Sequence, residues 1–185
     1  ETDKNTDKEA LRWLAKFLSG REVMSNGQRA FIDLYDFNII PVELISNIYE
    51  IVLGETVQKN DKAFYTPAYL ADYIIEENCQ GDLKNAKLLD PSCGSGIFLV
   101  LYYRKIVETR QESEYSDEYL ISTMKNNIYG IDKNADAVCV AIFSLYLTIL
   151  DYKNPKELAG FKFPDLLGEN IICADCFDDE KVRYI

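Results

Sequence analysis

Three aspartates, each at the end of a short apolar run, are the side chains best placed to bind a ligand in this sequence. They are Asp90, Asp132 and Asp175, which close the runs 87–90, 127–132 and 168–175. Each run has the length and composition of a buried strand. In an open parallel sheet, ligands bind outside the carboxyl ends of the strands, so we expect the three carboxylates to gather at one edge of a sheet.

A glycine-rich loop follows the first aspartate and leads into an apolar stretch that begins at Ile97. The loop reads Pro91-Ser92-Cys93-Gly94-Ser95-Gly96. Gly94 and Gly96 have no Cβ and tolerate a positive φ, so the backbone can approach a ligand closely. The loop ends at a predicted helix N-terminus, where the amides carry partial positive charge.

This loop does not match the common phosphate-binding patterns. A dinucleotide fingerprint is G-x-G-x-x-G with an acid about 20 residues later, whereas position 99 here is leucine and Asp132 lies 132 − 96 = 36 residues after Gly96. The polar connector could absorb that excess length. No G-K-S/T follows the glycines, which excludes a Walker loop. Asp90 would repel a pyrophosphate but attract a cation, and S-adenosylmethionine carries a sulfonium and an ammonium without phosphate.

Each aspartate would then bind a different part of S-adenosylmethionine. Asp90 would accept from the methionine ammonium, through water or the loop amides, and the amides of residues 92–96 would line the methionine moiety. Asp132 would accept both ribose hydroxyls, because a carboxylate has two acceptor oxygens.

The adenine end is assigned to the residues around the third aspartate. Asp175 would accept the exocyclic amine, with Phe177 or the neighbouring Cys176 as an apolar wall for the ring. Lys133 would flank the adenosine, although an exposed lysine explains it equally well. Cys173 and Cys176 form a C-x-x-C pair; without histidine or a second pair, core cysteines at a strand end are favoured over a zinc or redox site.

Helical patterns alternate with the three runs, and this order predicts a parallel sheet in an α/β fold. Helices are expected over 67–78, 97–109 and 134–151, with a polar, helical connector over 113–125. Pro67 suits the first turn of its helix, with Thr66 as the N-cap. Leu70, Tyr73 and Ile74 of that helix are expected to face inward.

Composition excludes several classes of protein. The chain has 185 residues, a formal net charge of −11, five cysteines and no histidine. Catalysis by Ser-His-Asp or Cys-His groups is therefore excluded, and so are histidine-containing zinc sites. The acidic balance disfavours a broad nucleic-acid surface on this piece. Apolar runs fall short of the ~20 residues of a membrane span. The odd cysteine count without a secretory signal predicts a cytoplasmic protein.

Four segments together resemble the amino-terminal half of gamma-class DNA adenine-N6 methyltransferases, in the order of motifs X, I, II and III. The segments are Phe64-Tyr65-Thr66-Pro67, Asp90-Pro91-Ser92-Cys93-Gly94-Ser95-Gly96-Ile97-Phe98, Ile128-Tyr129-Gly130-Ile131-Asp132 and Ala174-Asp175-Cys176-Phe177. Residues 35–50 also resemble the helical segment that precedes the methylase in large single-chain restriction–modification enzymes, of type IIG or like type I. The resemblance covers roughly residues 35–180.

The resemblance implies a Rossmann-like S-adenosylmethionine-dependent methyltransferase fold and a parent enzyme that methylates adenine N6 in DNA. It places Tyr65, Thr66 and Pro67 over the methionine end of the cofactor and adds Phe98 to the cofactor-binding set. The helical spacing of apolar residues predicts an amino-terminal helical segment over 1–60, and the resemblance implies a partial methyltransferase domain over 61–185.

The sequence departs from this family at the catalytic motif, which is N-P-P-Y or N-P-P-F. The only Asn-Pro pair is Asn154-Pro155, followed by Lys156-Glu157, and we interpret it as a turn. We therefore expect a cofactor-binding piece that ends before the catalytic residues and is inactive alone, with no metal. Its parent would bind double-stranded DNA through parts outside this chain, with a specificity subunit or a fused nuclease as further partners.

Two other functions remain open at the level of sequence. One is a non-catalytic cofactor-sensing or interaction module of methylase fold. The other is a methyltransferase acting on RNA or on protein glutamine, since such enzymes resemble this family in the glycine loop. The Y-T-P segment and the P-V-E-L-x-x-x-I-Y-E helix favour the DNA enzyme.

Overall fold

The computed structural model describes residues 66–178 apart from 82, 84, 155–157 and 159. The predicted helical segment 1–60, its boundary with the following domain, and Tyr65 lie outside the described residues. In the described part of the chain, no helix combines the length and apolarity needed to cross a membrane.

Helices and strands alternate along the described chain, as the sequence predicted. In chain order they are α1 (Ala68–Asn78), β1 (Leu88–Asp90), α2 (Ile97–Val107), a 3₁₀ turn (Glu112–Glu114), α3 (Asp117–Asn127), β2 (Ile128–Asp132), α4 (Ala135–Asp151) and β3 (Ile171–Cys173).

The three strands form a parallel sheet in the order β1-β2-β3. Asp90 lies opposite Gly130, and Asp132 lies opposite Cys173, so the carboxyl ends of all three strands share one edge. Parallel neighbours need a crossover between them; α2 and α3 connect β1 to β2, and α4 connects β2 to β3. This architecture confirms the predicted α/β fold.

The core lies where α2 and α4 pack against the sheet and against each other. Leu99 and Tyr103 of α2 and Leu145 of α4 are fully buried. The Tyr103 hydroxyl donates to the Leu120 carbonyl at 3.1 Å, so its polar atom is satisfied inside the core. The apolar packing holds α2 and α4 in place, and both helices begin at the edge of the sheet that carries the aspartates.

Local hydrogen bonds explain where α3 and α4 begin. The Ser116 hydroxyl accepts from the Tyr119 amide at 3.1 Å at the start of α3. The Asn134 side-chain oxygen accepts from the Asp136 amide at 2.9 Å and from the Ala137 amide at 3.3 Å. Both are N-caps, which satisfy amides that have no partner within the helix.

The predicted inward face of α1 is wrong. Leu70, Tyr73 and Ile74 are 41%, 59% and 39% exposed, whereas Ala71 and Ile75 are buried. Ala71 and Ile75, spaced i and i+4, lie on one face of α1, and α1 packs on α2. Thr66 is also not the cap: Pro67 is the N-cap residue, and no side chain caps this helix.

The third strand is shorter than predicted and covers only Ile171–Cys173. Residues 166–170 form a tight turn in which the Leu166 carbonyl accepts from the amides of Asn170 and Ile171 at 3.0 and 2.9 Å. The Asn170 side chain is buried and donates to the carbonyls of Lys125 and Ile128, each at 2.8 Å. The Gly130 amide still donates to the Asn170 carbonyl at 2.9 Å, but the tight turn prevents residues 166–170 from continuing the strand. At the other end, Asp175 follows the strand after one intervening residue.

Candidate cofactor site at the carboxyl edge of the sheet

The glycine loop folds back onto the end of β2. The Cys93 amide donates to the Ile131 carbonyl at 2.9 Å, and the Gly96 amide donates to the Cys93 carbonyl at 2.8 Å. Gly94 and Gly96 have φ angles of 53° and 90°, in the left-handed region that favours glycine. The predicted need for glycine at both positions is confirmed, and the loop extends the carboxyl edge of the sheet.

Gly96 is also required by close packing against α4. A Cβ at this position would lie 3.0 Å from the Ala141 Cβ and 3.1 Å from the Ala141 Cα. The second atom is backbone, which cannot move aside as a flexible side chain can. The start of α2 therefore rests directly on α4.

Cys93 is a packing residue. It is 4% exposed and faces Gly130, where an added Cβ would lie 3.1 Å from its Sγ. Burial raises the pKa of the Cys93 thiol, and the nearby charges of Asp90 and Asp132 raise it further. The thiol is therefore protonated at neutral pH and is not a nucleophile.

The Asp132 carboxylate joins two loops. Its Oδ2 accepts from the Gly94 amide at 2.8 Å, and its Oδ1 accepts from the Asn134 amide at 2.8 Å. The main-chain carbonyl of Asp132 accepts from the Ala174 amide at 3.0 Å. An ionised carboxylate offers about four acceptor positions, so two remain for ligand hydroxyls.

Asp90 lies half-buried beside this arrangement. Its Oδ1 accepts from the Ser92 amide at 3.0 Å. Burial raises the pKa of Asp90, the Ser92 amide opposes that rise, and the charge of Asp132 adds to it. The two carboxylates thus repel each other across the loop. A positively charged group bound there would relieve this repulsion.

Asp175 sits in a turn of its own beyond β3. Its Oδ1 accepts from the Phe177 amide at 3.0 Å, and its carbonyl accepts from the Asp178 amide at 2.9 Å. Asp175 is exposed, Cys176 is half-buried, and the Phe177 side chain is 90% exposed. The structure therefore offers Phe177 as an accessible aromatic surface and does not pack it into a pocket wall.

The sequence matches one protein family over the part of the chain that carries this site. The family model described as N-6 DNA Methylase matches residues 41–163, more than half of the chain. The chain belongs to the N-6 DNA methylase family. The matched range contains the glycine loop, Asp90 and Asp132 but ends before Asp175, and the predicted resemblance to adenine-N6 methylases is confirmed.

Three curated proteins are similar to this N-6 DNA methylase. The type II restriction enzyme and methyltransferase RM.Eco57I of Escherichia coli is 26% identical over 80% of this chain and 19% of its own length. The type II methyltransferase M.BstVI of Geobacillus stearothermophilus is 29% identical over 61% and 20%. The adenine-specific methyltransferase PglX of Streptomyces coelicolor is 24% identical over 57% and 9%. The chain spans a fifth or less of the length of each relative.

Two solved structures are also similar, each at 17% identity. One is a modification subunit from Vibrio vulnificus YJ016, with a TM-score of 0.47 over 88% of this chain and 31% of that chain. The other is DrdV in complex with DNA, with a TM-score of 0.43 over 75% and 13%.

The remaining predicted site residues of this N-6 DNA methylase lie in different environments. Thr66 is half-buried and Pro67 is exposed, just before α1, which packs on α2. Phe98 is partly buried against the core, and the Lys133 side chain is exposed.

The interpretation of Cys173 as a core residue is wrong. Cys173 is exposed, with its Sγ 3.8 Å from the Lys133 carbonyl, and it is the last residue of β3, which has a neighbour on one side only among the described strands. No group of three potential metal ligands occurs among the residues that the structure describes.

Asn134 is the site residue that sequence analysis missed. Its side chain caps α4 while its amide holds Asp132. An asparagine directly before a long apolar helix is a recognisable N-cap signal. Its amide bond to Asp132 is an Asx turn, which an aspartate at a turn favours locally. Asp90 and Asp175 make the same bond to the residue two positions later.

A concavity of about 520 Å³ lies at the other ends of α2 and α4, away from the glycine loop. Its lining residues are Glu108, Glu112, Tyr115, Asp151, Tyr152 and Lys153. The Tyr152 hydroxyl donates to Glu108 Oε1 at 2.9 Å, and Arg104 pairs with Asp151 at 2.8 Å. None of the predicted cofactor residues lines this concavity, so it is separate from the candidate site at the carboxyl edge of the sheet.

Proposed function

We propose that the protein is a site-specific DNA methyltransferase of a restriction–modification system, which methylates adenine at N6 with S-adenosylmethionine as the methyl donor. The observation that carries this proposal is the glycine loop bound to Asp132 at the carboxyl edge of the sheet, inside the range that matches the N-6 DNA methylase family. Because the chain spans a fifth or less of its relatives, the activity is proposed for the whole protein.

The residues present fit S-adenosylmethionine. Asp90 and Asp132 repel each other, which favours a cationic ligand over a phosphate-bearing one. Lys133, the only basic residue assigned to the site, is exposed. When bound, the cofactor supplies a methyl group on a positively charged sulfur.

The chain's own residues divide the binding task. Asp90 and the glycine loop line the methionine end, and Thr66 and Pro67 cover it. The amides of Ser92, Cys93, Gly94 and Gly96 already donate within the protein, so they shape the loop and do not bind the cofactor as the sequence predicted. Asp132 accepts from the ribose hydroxyls with the two acceptor positions that its amide contacts leave. Asp175 accepts from the adenine amine, and the exposed ring of Phe177 stacks on the base. Orienting the donor in this way lowers the entropic cost of transfer.

The acceptor side is absent from these 185 residues, since the sequence contains no N-P-P-Y or N-P-P-F motif. That motif would stabilise charge developing on the adenine amine and would stack on a flipped base. We infer that double-stranded DNA binds through other parts of the protein, with a specificity subunit or a fused nuclease as further partners. The 185-residue chain then binds the methyl donor without transferring the methyl group.

The test is a methylation assay with the full-length protein. Its substrates are duplex DNA, RNA and a glutamine-containing protein, each with isotope-labelled S-adenosylmethionine, followed by nucleoside or amino-acid analysis. We expect label in N6-methyladenine from DNA. Asp132→Ala should reduce the rate strongly, while Glu169→Gln, which removes an exposed charge paired with Lys125, serves as the matched control.

Label in RNA or glutamine would replace the proposed substrate with one of the other two. Cofactor binding without transfer to any substrate would identify a cofactor-sensing module instead. No S-adenosylmethionine binding by the folded full-length protein would contradict the proposal as a whole.

A further inference from the structure

The loop that lines the methionine end has few constraints of its own. Two of its six residues are glycines with positive φ, and glycine loses more conformational freedom on ordering than any other residue. A loop of this composition becomes rigid only when other parts of the protein bind it. The source of that rigidity determines how much affinity is lost to ordering when a ligand arrives.

Two consecutive loop amides donate to two consecutive residues of β2. The Cys93 amide donates to the Ile131 carbonyl at 2.9 Å, and the Gly94 amide donates to Asp132 Oδ2 at 2.8 Å. The first bond depends only on the backbone and survives any substitution at residue 131. The second bond depends on the Asp132 side chain, and it is charge-assisted, which makes it stronger than a bond between neutral groups.

Asp132 is itself held from the other side. The Asn134 amide donates to its Oδ1 at 2.8 Å, while the Asn134 side chain caps α4. The same helix contacts the far end of the loop, where Gly96 lies against Ala141. Helix α4 thus fixes the loop at two points, and one of them passes through Asp132.

We propose that Asp132 is a positioning residue for the glycine loop, in addition to any contact with the ribose. Its carboxylate holds the Gly94 amide before a cofactor is bound, so the backbone that lines the methionine end is ordered in the free protein. This second role rests on the proposed function only in naming the ligand that the loop receives.

Asp175 provides a matched control for this role. It is also an aspartate after a strand and is also assigned to the adenosine half. Among the residues that the structure describes, its Oδ1 accepts only from the Phe177 amide, within its own turn. Asp175→Asn therefore removes an equal charge without removing a bond to the loop.

The experiment measures amide hydrogen exchange at Gly94 in the ligand-free 185-residue chain. Asp132→Asn leaves one side-chain oxygen, which we expect to stay in the local turn with the Asn134 amide, so the bond from Gly94 is lost; Asp132→Ala removes both acceptors. We expect Gly94 exchange to rise about tenfold or more, the equivalent of at least ~1.4 kcal/mol of lost protection. In Asp175→Asn it should stay within about twofold of wild type.

A second arm separates positioning from ribose contact. Binding of S-adenosylhomocysteine and of its 2′,3′-dideoxy analogue is compared for wild type and Asp132→Asn. If Asp132 only bound the ribose, the loss caused by the substitution would vanish for the dideoxy ligand. We expect a clear part of the loss, about threefold or more, to remain.

Unchanged Gly94 exchange in Asp132→Ala, which has no side-chain acceptor, overturns the inference, and so does an affinity loss that disappears with the dideoxy ligand. If Asp132→Ala does not fold, the wild-type chain decides: a Gly94 amide that exchanges at the rate of an unstructured glycine contradicts the inference, and strong protection supports it. Failure of wild type to bind S-adenosylhomocysteine would refute the proposed function while leaving the Gly94 result valid.

Discussion

Gly96→Ala should be the most destabilising of the glycine substitutions at this edge, because it combines two separate penalties. The φ of Gly96 is 90°, and alanine in left-handed geometry costs about 1–2 kcal/mol. The new Cβ would also lie 3.1 Å from the Ala141 backbone, and overpacking of this kind costs about 1–3 kcal/mol. The free energy of unfolding should therefore fall by about 2–5 kcal/mol.

Two other glycines carry one penalty each and serve as matched controls. Gly168 has a φ of 78° with open space around its missing side chain, so Gly168→Ala reports strain alone, about 1–2 kcal/mol. An added Cβ at Gly130, which has no positive φ, would lie 2.9 Å from Leu99 Cδ1. Gly130→Ala therefore reports overpacking alone, about 1–3 kcal/mol.

Urea denaturation of the three variants of the 185-residue chain, followed by circular dichroism, provides the comparison. All three substitutions restrict the unfolded chain equally, so this effect cancels between them. If Gly96→Ala is no more destabilising than Gly168→Ala, then the loop does not rest on α4, and the argument for a rigid glycine loop is wrong.

Three further predictions concern single side chains around the site. The pKa of Asp90 is raised in the folded state, so its carboxylate becomes protonated as pH falls below that raised value. The affinity for S-adenosylmethionine should then weaken. Titrations across the acid range should show a flatter pH dependence of affinity in Asp90→Asn. Because folded protein binds the Asp90 proton more tightly than unfolded protein, wild type should lose stability as pH rises from about 4 through the raised pKa. This loss should be absent in Asp90→Asn, and a steeper loss in the variant would contradict the prediction. Thiol labelling of the native chain should modify the exposed Cys139 and Cys173 and spare the buried Cys93, whereas rapid labelling of Cys93 would mean that the loop opens. Asn134→Ala should lower the free energy of unfolding by about 1 kcal/mol through loss of the α4 cap, and an unchanged urea midpoint would count against the cap.

Most of the fold could be predicted from local patterns in the sequence. The strands that end at Asp90 and Asp132 were found within one residue of their true bounds, because an apolar run followed by an acid and a turn is a local signal. Helix α4 was equally clear, since it is long, apolar and preceded by Asn134. These elements agree with the structure because intrinsic preference and tertiary packing favour the same conformation there.

The errors arose where a distant contact or an unrecognised turn decided the outcome. The face of α1 that packs is set by α2, so Ala71 is buried while the larger Tyr73 is exposed. The third strand was predicted too long because the chain turns at residues 166–170, where the Leu166 carbonyl accepts from the amides of Asn170 and Ile171. The bond from Gly94 to Asp132 spans 38 residues, and no local pattern indicates which oxygen a loop amide will find.

A calorimetric titration of the 185-residue chain with S-adenosylmethionine tests the central claim most directly. Wild type, Asp132→Ala and the control Glu169→Gln are compared, with ATP as a ligand that shares the adenosine but carries phosphates. We expect saturable binding of S-adenosylmethionine, a loss of about tenfold or more in Asp132→Ala, equivalent to ~1.4 kcal/mol, no loss in Glu169→Gln, and no binding of ATP. Equal affinity in wild type and Asp132→Ala, or binding of ATP in preference to S-adenosylmethionine, would contradict it.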